Sequence, residues 1–302
     1  MRSAVVEAES PTGHRVPGIV PRAAYMSAYA IAAFAALALS GCAGLGNPTP
    51  DNDTPLYATS QSNLSSLSEV IEKHPDDPQA YNMRGSVFGE AGRNDQALAD
   101  FSKAISLDPN YAQAYANRAL IYRKTNRLDL ALADDDKALA IDASYSPAYL
   151  GRGIVYREQG KSSQALGDFN KAIALKPDNA EAYYNRGLLY QSQSQHAFAI
   201  DDFSTAIALS GQNAEPFVAR ALSYLAISDT KSACDDLDQA VQLSPTDLRA
   251  WTSRGLAYER LGAKDKAAGS YAKALNINSK YEPAQTGFAR VGGKIGQTYP
   301  TF

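Results

Sequence analysis

The residues of this chain that could do covalent or metal chemistry are few, and their spacing limits what they could do. There are two cysteines, Cys42 and Cys234. Cys42 closes an apolar, alanine-rich run over residues 23–41, with Arg15 and Arg22 ahead of it and Leu39, Ser40 and Gly41 immediately before the thiol. A positive segment, an apolar stretch and small residues at the cut describe an export signal. Only a thiol can form a thioether there, and small residues fit a peptidase cleft. The three histidines, His14, His74 and His196, share no metal-ligand spacing. Gly160-Lys161-Ser162 looks like the end of a phosphate loop, but the glycine needed five residues earlier is Val155 and no strand precedes it. The pairs Asp201-Asp202 and Asp235-Asp236 recur at one place in successive segments and read as features of a repeat. The residues imply no catalytic group, metal or cofactor, and no enzyme is expected.

What positions these residues is a repeat of 34 residues. An aromatic returns at Tyr81, Tyr115, Tyr149, Tyr183, Phe217 and Trp251. Three residues after each stands an arginine: Arg84, Arg118, Arg152, Arg186, Arg220 and Arg254. A Gly or Ala follows at once, then a second aromatic three residues on. With the leading aromatic counted as position 4, positions 4, 7, 8 and 11 share one stripe of a helix. Position 15 is Gly or Asn in four copies and Ser194 and Ser228 in the others, which predicts a left-handed turn there. A second helix follows with Ala at 20 and 27 in every copy and a bulky residue at 24 in most. Proline closes three copies at position 32 (Pro109, Pro177, Pro245). Small residues at 8 and 20 are expected to face each other, so the two backbones approach near the lower end of the ~8–10 Å range. One such pair cannot bury its apolar face alone, so neighbours must stack.

These positions resemble the tetratricopeptide repeat (TPR) family. The resemblance spans repeats 78–111, 112–145, 146–179, 180–213, 214–247 and 248–281. Segment 61–75 resembles a lone second helix, with Leu67 at 24 and Val70 at 27, and segment 281–292 a lone first helix. The array would thus cover 61–292, leaving 293–302 as a tail. The implied fold is all-α: a right-handed superhelical TPR solenoid of about six helix-turn-helix repeats with partial capping helices at both ends, the first helices lining the concave face.

The arginines at position 7 depart from the general family pattern, which favours Leu. Position 23 is Asp in five copies (Asp100, Asp134, Asp168, Asp202, Asp236) and Ser270 in the sixth. The pairing predicts a ladder of partly buried ion pairs; contact of the arginines with a ligand is the alternative. Asp135 is a second departure, a carboxylate at the bulky position 24. Cys234 replaces Leu, Ile or Ala at position 21 and is expected to be a small core residue.

On the side of the first helix away from the packed stripe, a purely solvated face would be polar. Instead position 9 carries Leu120, Ile154, Leu188, Leu222 and Leu256, position 5 carries Leu150, Tyr184 and Val218, and position 12 carries Arg123, Arg157 and Gln191. These eleven residues are candidates for a groove that takes a partner peptide. Packing between adjacent first helices is the alternative for position 9. Position 5 is never Lys, so the carboxylate clamp of chaperone co-factors is not expected. The formal net charge of −3 argues against nucleic acid as the main partner.

The tetrad Leu39-Ser40-Gly41-Cys42 resembles the bacterial lipobox, which implies lipidation of Cys42 and removal of 1–41 as a signal peptide. Residues 42–60 are rich in Gly, Pro, Asn, Asp and Thr and form a flexible linker by composition. It would reach on the order of 25 Å as a coil. Ala43, rather than Asp, follows the cysteine, which by resemblance favours the periplasmic face of the outer membrane. The expectation is a membrane-anchored adaptor binding other envelope proteins, resembling TPR lipoproteins that bring peptidoglycan hydrolases and a protease together. Assembly of pili or outer-membrane proteins, and binding of peptidoglycan or carbohydrate, are the alternatives. Whether copies associate into a homo-oligomer is left open.

Overall fold

The computed structural model describes residues 61–294 and 296–300. The signal segment 1–41, Cys42 and the linker 42–60 lie outside the described residues. The described residues form helices joined by turns. A lone helix, α1 (Gln61–Lys73), leads into six pairs: α2 (Pro78–Glu90) with α3 (Asn94–Leu107), α4 (Ala112–Lys124) with α5 (Leu128–Ile141), and α6 (Ser146–Glu158) with α7 (Ser162–Leu175). They continue with α8 (Ala180–Ser192) and α9 (His196–Leu209), α10 (Ala214–Ala226) and α11 (Thr230–Leu243), and α12 (Leu248–Arg260) and α13 (Lys264–Ile277). The last helix is α14 (Glu282–Arg290).

Local chemistry sets the boundaries. Asp77, Asn179, Asn213 and Asp247 cap first helices by accepting backbone N–H bonds from the first turn. Position 15 takes positive φ in all six pairs, at Gly92, Asn126, Gly160, Ser194, Ser228 and Gly262. The two serines adopt this conformation despite the steric cost of a Cβ, because the turn geometry of the hairpin demands it.

Each second helix packs on the first helix of its own pair and on that of the next. Successive first helices also touch (α2 and α4, α4 and α6, onward to α12 and α14), whereas no two second helices pack together. The stack is therefore tighter along the first helices, which form its inner face.

The glycine at position 8 has a more specific cause than the expected contact with Ala at 20. A Cβ on Gly85, Gly153, Gly187 or Gly255 would lie 2.8, 2.8, 2.7 or 2.6 Å from the ring at position 24 of the same pair: Phe101, Phe169, Phe203 or Tyr271. The two copies with Ala at 8, Ala119 and Ala221, carry Asp135 and Leu237 at 24. Bare backbone is needed where a ring lies on it. Gly187→Ala is accordingly expected to destabilise by about 1–2 kcal/mol, overpacking outweighing the better helix propensity of Ala. In a Phe203→Leu background, which reproduces the Ala221/Leu237 pairing, the same change should be neutral or stabilising. A urea-unfolding double-mutant cycle with no coupling between the two sites would refute this account.

The arginine ladder is present, and it joins three helices at each step. Arg84, Arg118, Arg152, Arg186 and Arg220 each hold the position-23 carboxylate of their own pair through Nε and Nη2, with N–O distances between 2.6 and 2.8 Å. Nη1 donates to the preceding second helix, at Ser68, Ser102, Asp136, Asn170 and Ser204 respectively. In the sixth pair Ser270 replaces the carboxylate; the fully buried Arg254 donates to Ser270 and to Asp238 of the preceding helix. Each guanidinium also lies over the aromatics at 4 and 11. Hydrogen bonds to the paired aspartates raise the arginine pKa values further, so these guanidiniums stay charged at any working pH. In the first five pairs Nε, Nη1 and Nη2 are all engaged inside the stack, which favours the ladder over ligand-binding arginines.

The ends differ from expectation. In α1, Leu64 and Ile71 are buried while Val70 is 40% exposed. Positions 24 and 27 would face a first helix of the same pair, and among the described residues α1 has none; it packs only forward, on α2. Part of the tail packs on the last helices. Tyr299 meets Phe288 edge-on at 5.8 Å, and Pro300 lies against Gly269 where a Cβ would stand.

Candidate functional site

The inner face holds two adjoining cavities built mainly by α4, α6 and α8. The first, of about 150 Å³, is lined by Leu120 and Arg123 of α4, Asp135 of α5, and Leu150, Gly151 and Ile154 of α6, with Glu181 at its edge. The second, of about 400 Å³, shares Arg123, Ile154 and Glu181 and adds Arg157, Tyr184 and Glu215. Six of the eleven groove candidates (Leu120, Arg123, Leu150, Ile154, Arg157, Tyr184) thus converge on one stretch of the face.

Their exposure differs. Leu120 is 39% exposed, whereas Ile154 is 3% exposed and Leu150 is buried with it. Those two form cavity floor between adjacent first helices. Arg123 forms no ion pair among the described residues and is available at the rim. The buried Arg157 Nε has no hydrogen-bond partner among the described residues. Burial pushes the Tyr184 phenol pKa up. The remaining five candidates lie away from the cavities. Val218 is buried in the core around α10 and α12, so it is packing. Gln191 donates to the Ala219 carbonyl and to Ser223 Oγ, both at 2.8 Å, which ties α8 to α10. Leu188, Leu222 and Leu256 are half-buried against core clusters. Packing thus consumes Val218 and Gln191, whereas Leu188, Leu222 and Leu256 keep part of their surface, and Leu256 also lines a separate cavity of about 420 Å³ between α12 and α14.

Asp135 dominates the first cavity electrostatically. It is 2% exposed and accepts no hydrogen bond among the described residues. One carboxylate oxygen lies 2.9 Å from where a Cβ on Gly151 would sit. Position 6 is glycine in this copy alone, so Gly151 makes the room that the carboxylate occupies. Ala119, whose counterparts at position 8 meet a side chain at 24, here lines the cavity instead. Burial pushes the Asp135 carboxyl up to about 8, against the opposing pull of Arg152 and Arg123. A sequence signal for this site existed: Asp at 24 and Gly at 6 of the following helix are paired departures from the repeat.

Cys234 is buried, and burial pushes its thiol up to about 11, which leaves it a packing residue without nucleophilic character. No helix among the described residues is long and apolar enough to cross a membrane.

A stack of uniform helix pairs with a pocketed inner face defines a repeat scaffold that binds other proteins. Comparison with known proteins agrees. Profiles for the TPR repeat match residues 85–126 and 153–194, and profiles for the tetratricopeptide repeat match 112–145, 180–213 and 218–283. The chain belongs to the tetratricopeptide repeat family. No curated protein matches it in sequence. Among solved structures, it is similar to the APC/C hetero-tetramer Cut9-Hcn1, with a TM-score of 0.69 at 19% identity, over 78% of this chain and 46% of that one. This chain thus spans about half the length of that relative. PilF of Pseudomonas aeruginosa gives 0.64 at 20% identity, over 74% of this chain and 99% of that one. A tetratricopeptide repeat protein from Parabacteroides merdae gives 0.55 at 20% identity, over 77% and 92%. At such identities the likeness is one of fold.

Proposed function

We propose that this protein is an adaptor of the bacterial cell envelope, anchored by a lipid on Cys42 and presenting the inner face of α4–α10 to a segment of a partner protein. The observation that carries the binding half is the convergence of Leu120, Arg123, Ile154, Arg157 and Tyr184 on two adjoining cavities. An apolar floor with charged groups at the rim suits an extended peptide, whose side chains enter the pockets while its backbone stays outside. The lipobox-like tetrad and the linker after it support the anchor. Envelope enzymes such as peptidoglycan hydrolases, together with a protease, are the partners that the resemblance suggests.

Two measurements test this. Cys42→Ala should abolish incorporation of labelled palmitate and leave residues 1–41 uncleaved; palmitate incorporation that persists in this variant overturns the anchor. Arg123→Glu combined with Leu120→Glu alters only residues with solvent access. It should lower affinity for envelope partners captured by the wild type by about tenfold or more while leaving helicity unchanged. Unchanged binding would place the partner site elsewhere.

A further inference from the structure

We propose that the cavity floored by Asp135 is a receptor pocket for a primary alkylammonium group, the end of a lysine side chain on the partner segment. The argument starts from what a buried carboxylate needs. An ionised carboxylate taken out of water without hydrogen bonds is expensive unless a charge or donor meets it. Asp135 is almost fully buried, accepts no hydrogen bond among the described residues, and opens onto a cavity of about 150 Å³.

The neighbouring charges are largely committed. Arg118 of α4 holds Asp134, and Arg152 of α6 holds Asp168 and Asp136. What remains around the cavity is Arg123 on one side and Asp135 with Glu181 on the other. With Asp135 ionised that set is negative, so a cation is the complementary guest. The walls decide which cation. Ala116, Ala119, Leu120, Leu150 and Ile154 are apolar, which suits a methylene stem that ends in a charge. A calcium ion would want six to eight oxygen ligands, and these walls do not supply them. A compact ammonium on a flexible stem matches better than a planar guanidinium, whose five donors would find one carboxylate.

The raised pKa of Asp135 adds a signature. The guest selects the ionised form, so binding must expel a proton wherever the free carboxyl is protonated. Affinity for the cation should therefore rise as pH rises toward about 8.

This inference rests on the partner-binding reading for its peptide context, but its test needs no partner. Saturation-transfer NMR on the full chain with n-butylammonium as probe should show contact, with affinity increasing about tenfold per pH unit from about pH 6 to about pH 8. 1-Butanol, which shares the stem without the charge, should bind at least about tenfold more weakly. Asp135→Asn, close in shape, should lose the ammonium preference, and Asp135→Leu, which reproduces the Ala221/Leu237 pairing of the fifth copy, should fill the cavity and lose both probes. Absent transfer from butylammonium, equal transfer from butanol, or a pH-independent signal that survives Asp135→Asn would each overturn the proposal. Butylammonium binding without partner capture would fault the adaptor reading instead, and partner capture without butylammonium binding would fault this one.

Discussion

Replacing Asp135 by leucine is expected to stabilise the protein, with the gain growing as pH rises. The fifth repeat shows that leucine fits this position beside an alanine at position 8, since Leu237 is fully buried there against Ala221. The sign follows from linkage. In the unfolded chain the carboxyl titrates near an ordinary value of about 3.9; in the fold it is pushed up to about 8. Below about pH 4 it is protonated in both states and imposes no penalty. Between the two values the unfolded chain has released the proton and the fold still holds it, so stability falls as pH rises. The limiting slope is about 1.4 kcal/mol per pH unit. Above about pH 8 the penalty is complete and flat. The charged groups facing Asp135 are Arg118 and Arg123 from α4, Asp134 and Asp136 on α5, Arg152 from α6 and Glu181 from α8. The difference between wild-type and Asp135→Leu urea-unfolding curves should therefore open between about pH 4 and pH 8 by several kcal/mol. Parallel curves would mean that the carboxylate is solvated. Retaining so unfavourable a group is understandable where it serves binding, since stability and site chemistry commonly oppose each other.

How much of this was legible in the sequence depends on whether a residue's role was local or relational. Pair boundaries, the left-handed turn at position 15 and the alanines at 20 and 27 follow from propensity and period alone, and the structure has them. The ladder was legible because Arg at 7 and Asp at 23 recur together, although the reach of Nη1 to the preceding helix was not. That contact depends on the spacing between pairs, which the sequence of one repeat does not contain. The reason for glycine at position 8 was misread: the ring at 24, rather than the alanine at 20, excludes the Cβ. The inner face was half legible. Leu120 and Ile154 share position 9 and the same residue class, yet one is open and the other covered, because neighbouring first helices pack differently along the stack. A pattern fixes which way a side chain points and leaves open what lies opposite it.

The ladder yields the second large effect. Asp202→Ala should destabilise the protein by about 3 kcal/mol, the low end of the range for removing one partner of a buried pair. Arg186 holds Asp202 at 2.8 and 2.7 Å through Nε and Nη2, and its Nη1 donates to Asn170 at 2.6 Å. The guanidinium lies between Tyr183 and Tyr190, with ring centroids at 5.5 and 5.9 Å. With the carboxylate gone, the cation stays wedged between these rings with two donors unmet, since the ring contacts prevent the side chain from simply swinging out. Partial exposure of Arg186 keeps the cost below that of a fully buried charge. A double variant, Arg186→Met with Asp202→Leu, removes charge on both sides and should recover most of the loss, because a buried ion pair secures register more than it adds stability. The register itself supplies an independent readout. Asn170 belongs to the preceding pair, so each arginine couples neighbouring units of a one-dimensional stack. If the arginine tie carries that coupling, the double variant should unfold with a lower urea m-value than wild type, even where its midpoint is restored, as the array divides near α7 and α8. An Asp202→Ala loss below about 1 kcal/mol would place this pair with the exposed salt bridges, whose measured contributions are that small.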